Sequence, residues 1–274
     1  TRARRRRRRK YVIAPLTAAE QALQALGITD PEEIDIEVVA LSLGAKVKYR
    51  HLESCEARIV GQAERAIITV DSRATPRRKR FSVAHELGHW HRHRGLCLTC
   101  RTQDIGRPLS DGRRERVAGN PELQADAYAS DLLLPGYIFR PLIADVDRLT
   151  ISAVKALADR FETSMTATTI KALGTNRFPS MLVCHSQAGM RWFRRPPIIP
   201  ERWFPRSDLL AESPCFRTLF NDGPEQKQPT KVKASCWFDH PLAERFTVTE
   251  QTFRLPGDNV ATLVTLDDPK MLQL

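Results

Sequence analysis

Phe81-Ser-Val-Ala-His85-Glu86-Leu-Gly-His89-Trp90 is the stretch on which the reading of this chain turns. Phe81, Val83, Ala84, Leu87, Gly88 and Trp90 are apolar among basic residues, and Pro76 stands early, a pattern that predicts a long helix from about residue 75 to 93–95. Residues four apart share a helix face about one turn apart, so His85 and His89 can turn two imidazoles toward one ion. By average residue usage the three fixed letters of His-Glu-x-x-His arise by accident on the order of once per hundred chains of this length. The neighbourhood must therefore carry the rest of the argument.

A catalytic zinc site takes three protein ligands and keeps a fourth position open. Glu122 is the candidate third ligand, because Glu122-Leu-Gln-Ala125-Asp126-Ala-Tyr-Ala129 reads as a second helix whose small residues permit close packing on the first. Asp126 lies one turn further on, where its carboxylate can accept the second ring proton of His85 and fix the tautomer of that ligand. Glu86 then faces water at the ion as a general base, and the reaction implied is hydrolysis of a peptide bond. The ion expected is Zn2+, although two histidines and one carboxylate also accept Mn2+, Fe2+ or Co2+. Cys97 and Cys100 have the spacing of half a zinc ribbon or of a redox pair. With no second pair nearby, they read first as loop thiols, with a metal or redox role as the alternative, for which the metal partners would be His91, His93 or the distant Cys184, Cys215 and Cys236.

The net charge of +11 resembles a nucleic-acid signal until it is located. Arg2, Arg4 to Arg9 and Lys10 supply eight of the charges and leave +3 for everything else. A run of that kind repels itself, so residues 1–14 read as a disordered tail, with weak phosphate contact as its alternative use. No apolar run approaches the roughly 20 residues of a membrane span, six cysteines in 274 residues are too sparse for a disulfide framework, and no apolar leader follows the arginines. A soluble, cytoplasmic protein without membrane contact is the expectation.

Residues 17–26 read as a helix with Thr17 at its N-cap, and Pro31 opens a short one. Branched apolar residues at 34–43, 46–51, 57–62 and 66–70 read as a small sheet. Residues 96–120 read as a long polar loop, and the helix from residue 122 stops at Pro135-Gly136. Helices follow at 152–161 and 165–173. Beyond them, eleven of the 18 prolines fall between Pro179 and Pro269, with strand-like stretches at 181–185, 190–193, 232–238 and 260–266. The organisation expected is α+β: a metallopeptidase domain at 15–149, a helix-turn-helix-like segment at 150–176, and a β-rich or α/β domain of unknown role at 177–274.

The segments Ile67-Ile-Thr-Val70 and Pro76 to His89, followed by Glu122-Leu-Gln-Ala125-Asp126-Ala-Tyr-Ala129-Ser-Asp-Leu132-Leu-Leu-Pro135, resemble the strand, metal helix and third-ligand helix of the ImmA/IrrE family of bacterial metallopeptidases. The resemblance covers roughly residues 15–175. It implies a thermolysin-like fold of minimal size and cleavage of a helix-turn-helix repressor, which releases stress-response or mobile-element genes. Residues 96–119 depart from it, being longer and more basic than the family's connection, and the last hundred residues match no motif of the family. Some relatives carry a sensory domain at that end. The second function in view is a regulator that keeps the metal site but acts by binding nucleic acid. The second helix of the pair, poor in side chains that read base edges, argues for packing or substrate docking instead.

Overall fold

A computed structural model describes residues 15–92, 99–100 and 120–273. The arginine tail, Cys97 and the side chain of Cys100, together with most of the connector at 96–119, lie outside the described residues.

Helix α1 (Ala18–Ala25) begins with a capping box in which Thr17 and Glu20 satisfy one another's backbone N–H groups. Glu20 also accepts from the N–H of Gly136 at 2.6 Å, which ties the first helix to a segment 116 residues away. A 3-10 turn at Pro31–Glu33 leads into α2 (Ile36–Ser42). The sequence reading placed extended chain there. The structure corrects it, because Asp35 accepts hydrogen bonds from the N–H groups of Glu37 and Val38 and caps a helix whose Ile36, Val39 and Ala40 are buried on one face.

Four strands follow in the order β1-β3-β2-β4, namely β1 (Ala45–Arg50), β3 (Arg65–Asp71), β2 (Ala57–Gln62) and β4 (Thr99–Cys100). β1 runs parallel to β3, β2 antiparallel to it, and β4 pairs with β2 only at Ala57 and Arg58. One sheet face, through Ala57, Ile59, Ile68 and Val70, is buried in the same apolar core as Val83, Leu87 and Trp90 of α3 (Pro76–Arg92). Gly61 lies where the indole of Trp90 crosses the sheet, and Trp90 Nε1 donates to the Leu43 carbonyl at 2.9 Å. Buried Glu56 accepts from Arg78 and from the hydroxyl of Ser82, so the metal-motif helix is pinned to the start of β2.

Helix α4 (Pro121–Leu133) is capped by Asn120, and α5 (Gly136–Ala144) follows after a single break. The sequence reading ended the helix from residue 122 at Pro135-Gly136, where α4 does end, but it assigned no helix to residues 136–144. Proline is well suited to a position just before a new helix, however, and Ile138, Phe139 and Ile143 bury one face. The pair α6 (Ile151–Arg160) and α7 (Met165–Gly174) sits as expected, with Thr150 and Ser164 as N-caps.

The remaining chain builds a five-stranded antiparallel sheet in the order β6-β5-β9-β8-β7. Its strands are β5 (Ser180–Ser186), β6 (Gly189–Arg194), β7 (Gln226–Lys233), β8 (Thr247–Leu255) and β9 (Asn259–Thr265). The short helices α8 (Pro214–Phe220) and α9 (Lys270–Gln273) flank it. The expected strand at 232–238 falls largely in a 3-10 turn, Ala234–Cys236, after β7. Two cores result. Leu182, Phe253, Ala261 and Leu263 join the core of the preceding helices, while Met181, Val183, Val260 and Val264 face a second core with Trp203, Trp237 and Phe238.

Beneath α8, buried Glu250 accepts from Ser213 Oγ, the N–H of Cys215 and Trp237 Nε1. Burial pushes its carboxyl up, against the pull of those donors. Gly61→Val tests the sheet-to-helix contact, since a Cβ there would fall 2.2 Å from the Trp90 ring. The variant is expected to lose about 1–3 kcal/mol in urea unfolding, the usual cost of overpacking, and unchanged stability would mean the indole does not rest on the strand.

Candidate metal centre

Helices α3 and α4 approach closely because the residues between them are small. A Cβ on Gly88 would lie 2.8 Å from Ala125 Cα and 3.1 Å from Tyr128 Cβ, and Ala125 and Ala129 are fully buried. Glycine here serves close backbone approach rather than a special turn. The approach brings Glu122, in the first turn of α4, over His85 and His89 of α3.

The His85 and His89 Nε2 atoms stand 3.0 Å apart, His85 Nε2 lies 3.1 Å from Glu122 Oε2, and His89 Nε2 lies 3.4 Å from Glu122 Oε1. A tetrahedral ion about 2.0–2.1 Å from each ligand separates them by roughly 3.3 Å, so the three spacings suit one small cation. Both histidines are buried, and Glu122 is partly exposed.

The chemistry of the donor set points the same way. Asp126 Oδ1 lies 2.9 Å from His85 Nδ1, and a proton on Nδ1 shared with that carboxylate leaves the Nε2 lone pair facing Glu122 and His89. Lone pairs converging on a carboxylate in a buried place require a cation between them, whether a proton or a metal ion. Burial disfavours charge on His85, yet the Asp126 and Glu122 carboxylates overcome it and push the imidazole up to about 9. Burial likewise acts to raise Glu122, but the two histidines hold it down at about 2.

Glu86 is fully buried on the same helix. The Cys55 thiol, half-buried just before β2, is pushed up by burial, a trend that Arg58 opposes and the Glu86 carboxylate reinforces. The sequence offered no reason to place Cys55 there, since only the turn before β2 brings it into the electrostatic reach of Glu86. His91 stacks on Tyr128 with ring centroids 5.4 Å apart and belongs to the α3–α4 contact. His85, His89, Glu122 and Asp126 thus fall in one place, with Glu86 next to His85 on α3, whereas Cys184, Cys215 and Cys236 lie in the C-terminal sheet region without forming a ligand cluster among the described residues.

Of the α6–α7 pair, α7 buries Thr168, Thr169, Ala172 and Leu173, and Lys171 forms an ion pair with Asp131 of α4 at 2.8 Å. Arg77 of α3 reaches the Thr163 carbonyl between α6 and α7 at 2.9 Å. The pair braces both helices of the candidate centre, which suits packing better than groove reading.

Two predictions follow from this geometry. Gly88→Val is expected to wedge α3 from α4 and reduce bound metal, read as the metal-to-protein ratio after dialysis, to a small fraction of the parent; full metal content would sink the packing argument. In chelator-treated protein, the folded-state pKa of His85 lies above its ordinary value of 6.5, at about 9. Its contribution to stability is therefore full below pH 6.5 and is lost as pH rises through 9. Melting temperature should fall across that window, and Asp126→Asn should flatten the fall.

Among the described residues no helix is long and apolar enough to cross a membrane. No curated protein matches the chain. A solved structure titled "Mycobacterium tuberculosis transcriptional regulator" is similar over 94% of this chain and 89% of that one, with 16% identity and a TM-score of 0.56, a likeness of fold. The model of the Peptidase M78 family, described as the IrrE N-terminal-like domain, matches residues 31–172, a little over half of the chain and the whole of the region that builds the centre. With that match over α3 and α4, the chain belongs to the IrrE-like Peptidase M78 family.

Proposed function

We propose that this protein is a zinc-dependent endopeptidase, with His85, His89 and Glu122 as metal ligands, Glu86 as general base and Asp126 as the group that orients His85. The observation that carries the reading is the convergence of two buried imidazole Nε2 atoms and one carboxylate at spacings of 3.0–3.4 Å on helices whose family is named for peptidases.

A zinc ion held by these residues would supply a Lewis acid for a peptide carbonyl and would acidify water. Glu86 takes a proton from the water as its oxygen attacks the carbonyl carbon, and delivers that proton to the departing amine when the C–N bond breaks. Water is consumed and one acid and one amine are formed. Asp126 keeps the ring of His85 from turning, and Glu86 is held on the buried flank of α3, next to the ligand His85. Mn2+, Fe2+ or Co2+ would fit the same donors.

The substrate proposed is a protein, a helix-turn-helix repressor, whose cleavage in the cytoplasm releases stress-response or mobile-element genes. This follows the family resemblance. The competing reading, a regulator that binds nucleic acid and keeps the metal site for structure, draws on the printed title of the similar mycobacterial structure. Embedding of α7 in the core speaks against its use as a recognition helix.

Glu86→Gln separates the two. Metal content should remain that of the parent, while cleavage of helix-turn-helix repressors encoded in the same genome should fall by about 10^2-fold or more, the range for loss of a general base. Undiminished cleavage in this variant would remove Glu86 from the mechanism, and undiminished gene regulation without cleavage would favour the binding reading.

A further inference from the structure

The sheet β1-β3-β2 has a second face, and its chemistry is unlike that of the first. The register sets Lys46, Ile67 and Val60 in one row, and Lys48, Thr69 and Arg58 in the next. Arg50 and Arg65 extend the same face at its two ends. Alternation along the strands puts all of these opposite to Ala57, Ile59, Ile68 and Val70, which are buried toward α3.

Five cations therefore stand on one small surface, and none of the five forms a side-chain ion pair or hydrogen bond among the described residues. Among the described strand residues the one acid on that face, Asp71, is already engaged by Arg73 at 2.7 Å. Neighbouring strands lie about 4.8 Å apart and alternate residues about 6.7 Å apart, within a Debye length of about 8 Å at physiological salt. Neighbouring cations of one strand therefore repel one another, and among the described residues no acidic side chain pairs with them. Between them Ile67 is 42% exposed and Val60 is 64% exposed, two branched apolar side chains side by side in a cationic frame.

A second copy of the chain would set cations against cations, and the arginine tail has the same sign, so neither complements this face. Single-stranded nucleic acid is held on sheets by stacking on aromatic side chains, and among the described residues this face has none. A duplex backbone would match the cations but would press phosphates against Val60 and Ile67. An apolar centre with a charged rim is the anatomy of a protein interface.

We propose that the outer face of β1-β3-β2 is a docking surface for an acidic protein segment that carries aliphatic side chains, with Lys46, Lys48 and Arg58 meeting its carboxylates and Val60 and Ile67 its apolar groups. The face lies on the far side of the sheet from α3, so an occupant leaves the candidate metal centre uncovered. The proposal stands independently of the peptidase reading.

The test uses the full chain and a synthetic peptide of repeating Glu-Val-Glu-Ser, carrying a fluorophore and one benzophenone side chain. Cross-linked residues are mapped by mass spectrometry, and affinity is read by anisotropy. Cross-links are expected within residues 45–71. The Lys46→Glu/Lys48→Glu variant should bind about tenfold or more weakly, and Val60→Ser/Ile67→Ser several-fold more weakly, as for charged and apolar contacts of one interface. Both pairs are solvent-facing, so far-ultraviolet circular dichroism should match the parent. Cross-links confined to residues 2–10, or peptide affinity unmoved by the charge reversal, would overturn the proposal. So would a 20-base-pair duplex that cross-links to this face, outcompetes the peptide there, and is indifferent to the Val60 and Ile67 changes.

Discussion

Two helices of this protein touch at a glycine, and the arrangement of the candidate centre depends on that contact. Gly88 lets α3 and α4 come together until an added methyl group would collide with the backbone of Ala125. At that separation a glutamate in the first turn of α4 meets both histidines of α3 within hydrogen-bonding distance. Helix axes with larger side chains between them lie 8–10 Å apart, and a side chain as short as glutamate has little slack to recover an ångström. The donors are thus placed by backbone packing first and by side-chain torsion second.

What surrounds the contact keeps it from relaxing. Trp90 is laid on Gly61 and tied to the Leu43 carbonyl, and Arg78 and Ser82 are tied to Glu56, so α3 is fixed to the sheet along its length. Arg77 and Lys171 fix α3 and α4 to the α6–α7 pair from the other side. These anchors offset the electrostatic cost of the centre, where three acids and two imidazoles are gathered in partly dry surroundings. Such a cluster would splay apart in a looser frame.

Much of this was legible in the sequence because it rests on local periodicity. The spacing of His85 and His89, the small residues after Glu122, the cap at Thr17, the helix pair at 152–173 and the strands at β2, β3, β5, β6 and β9 all follow from rules that span a few residues. What failed were elements decided by distant partners or by a single capping group. Residues 36–42 are rich in Val and Ile and read as extended, until Asp35 is seen to cap them. Pro135 does terminate α4, as its residue type suggests, but the α5 that starts directly behind it has no capping side chain to announce it. In β8, Thr247 to Leu255, alternation is hidden because Val248, Glu250 and Phe253 are all buried, and the carboxylate is acceptable there only because Ser213, Cys215 and Trp237 arrive from elsewhere in the chain. Cys55 near Glu86 was likewise out of reach, since no spacing rule links a turn residue to a helix 31 positions later.

The five-stranded sheet shares its inner face with the helices before it: Leu182, Phe253, Ala261 and Leu263 belong to one continuous core with Val154, Leu157 and Phe161. Cut from the chain, either part would bare a greasy wall. The last hundred residues are therefore not an interchangeable cassette: a sheet put in their place would have to supply apolar side chains that fit the same wall. The face that α6 turns to the sheet, through Val154 and Leu157, and the sheet residues Phe253, Ala261 and Leu263 are two halves of one mould, so a change of volume on one side is felt on the other.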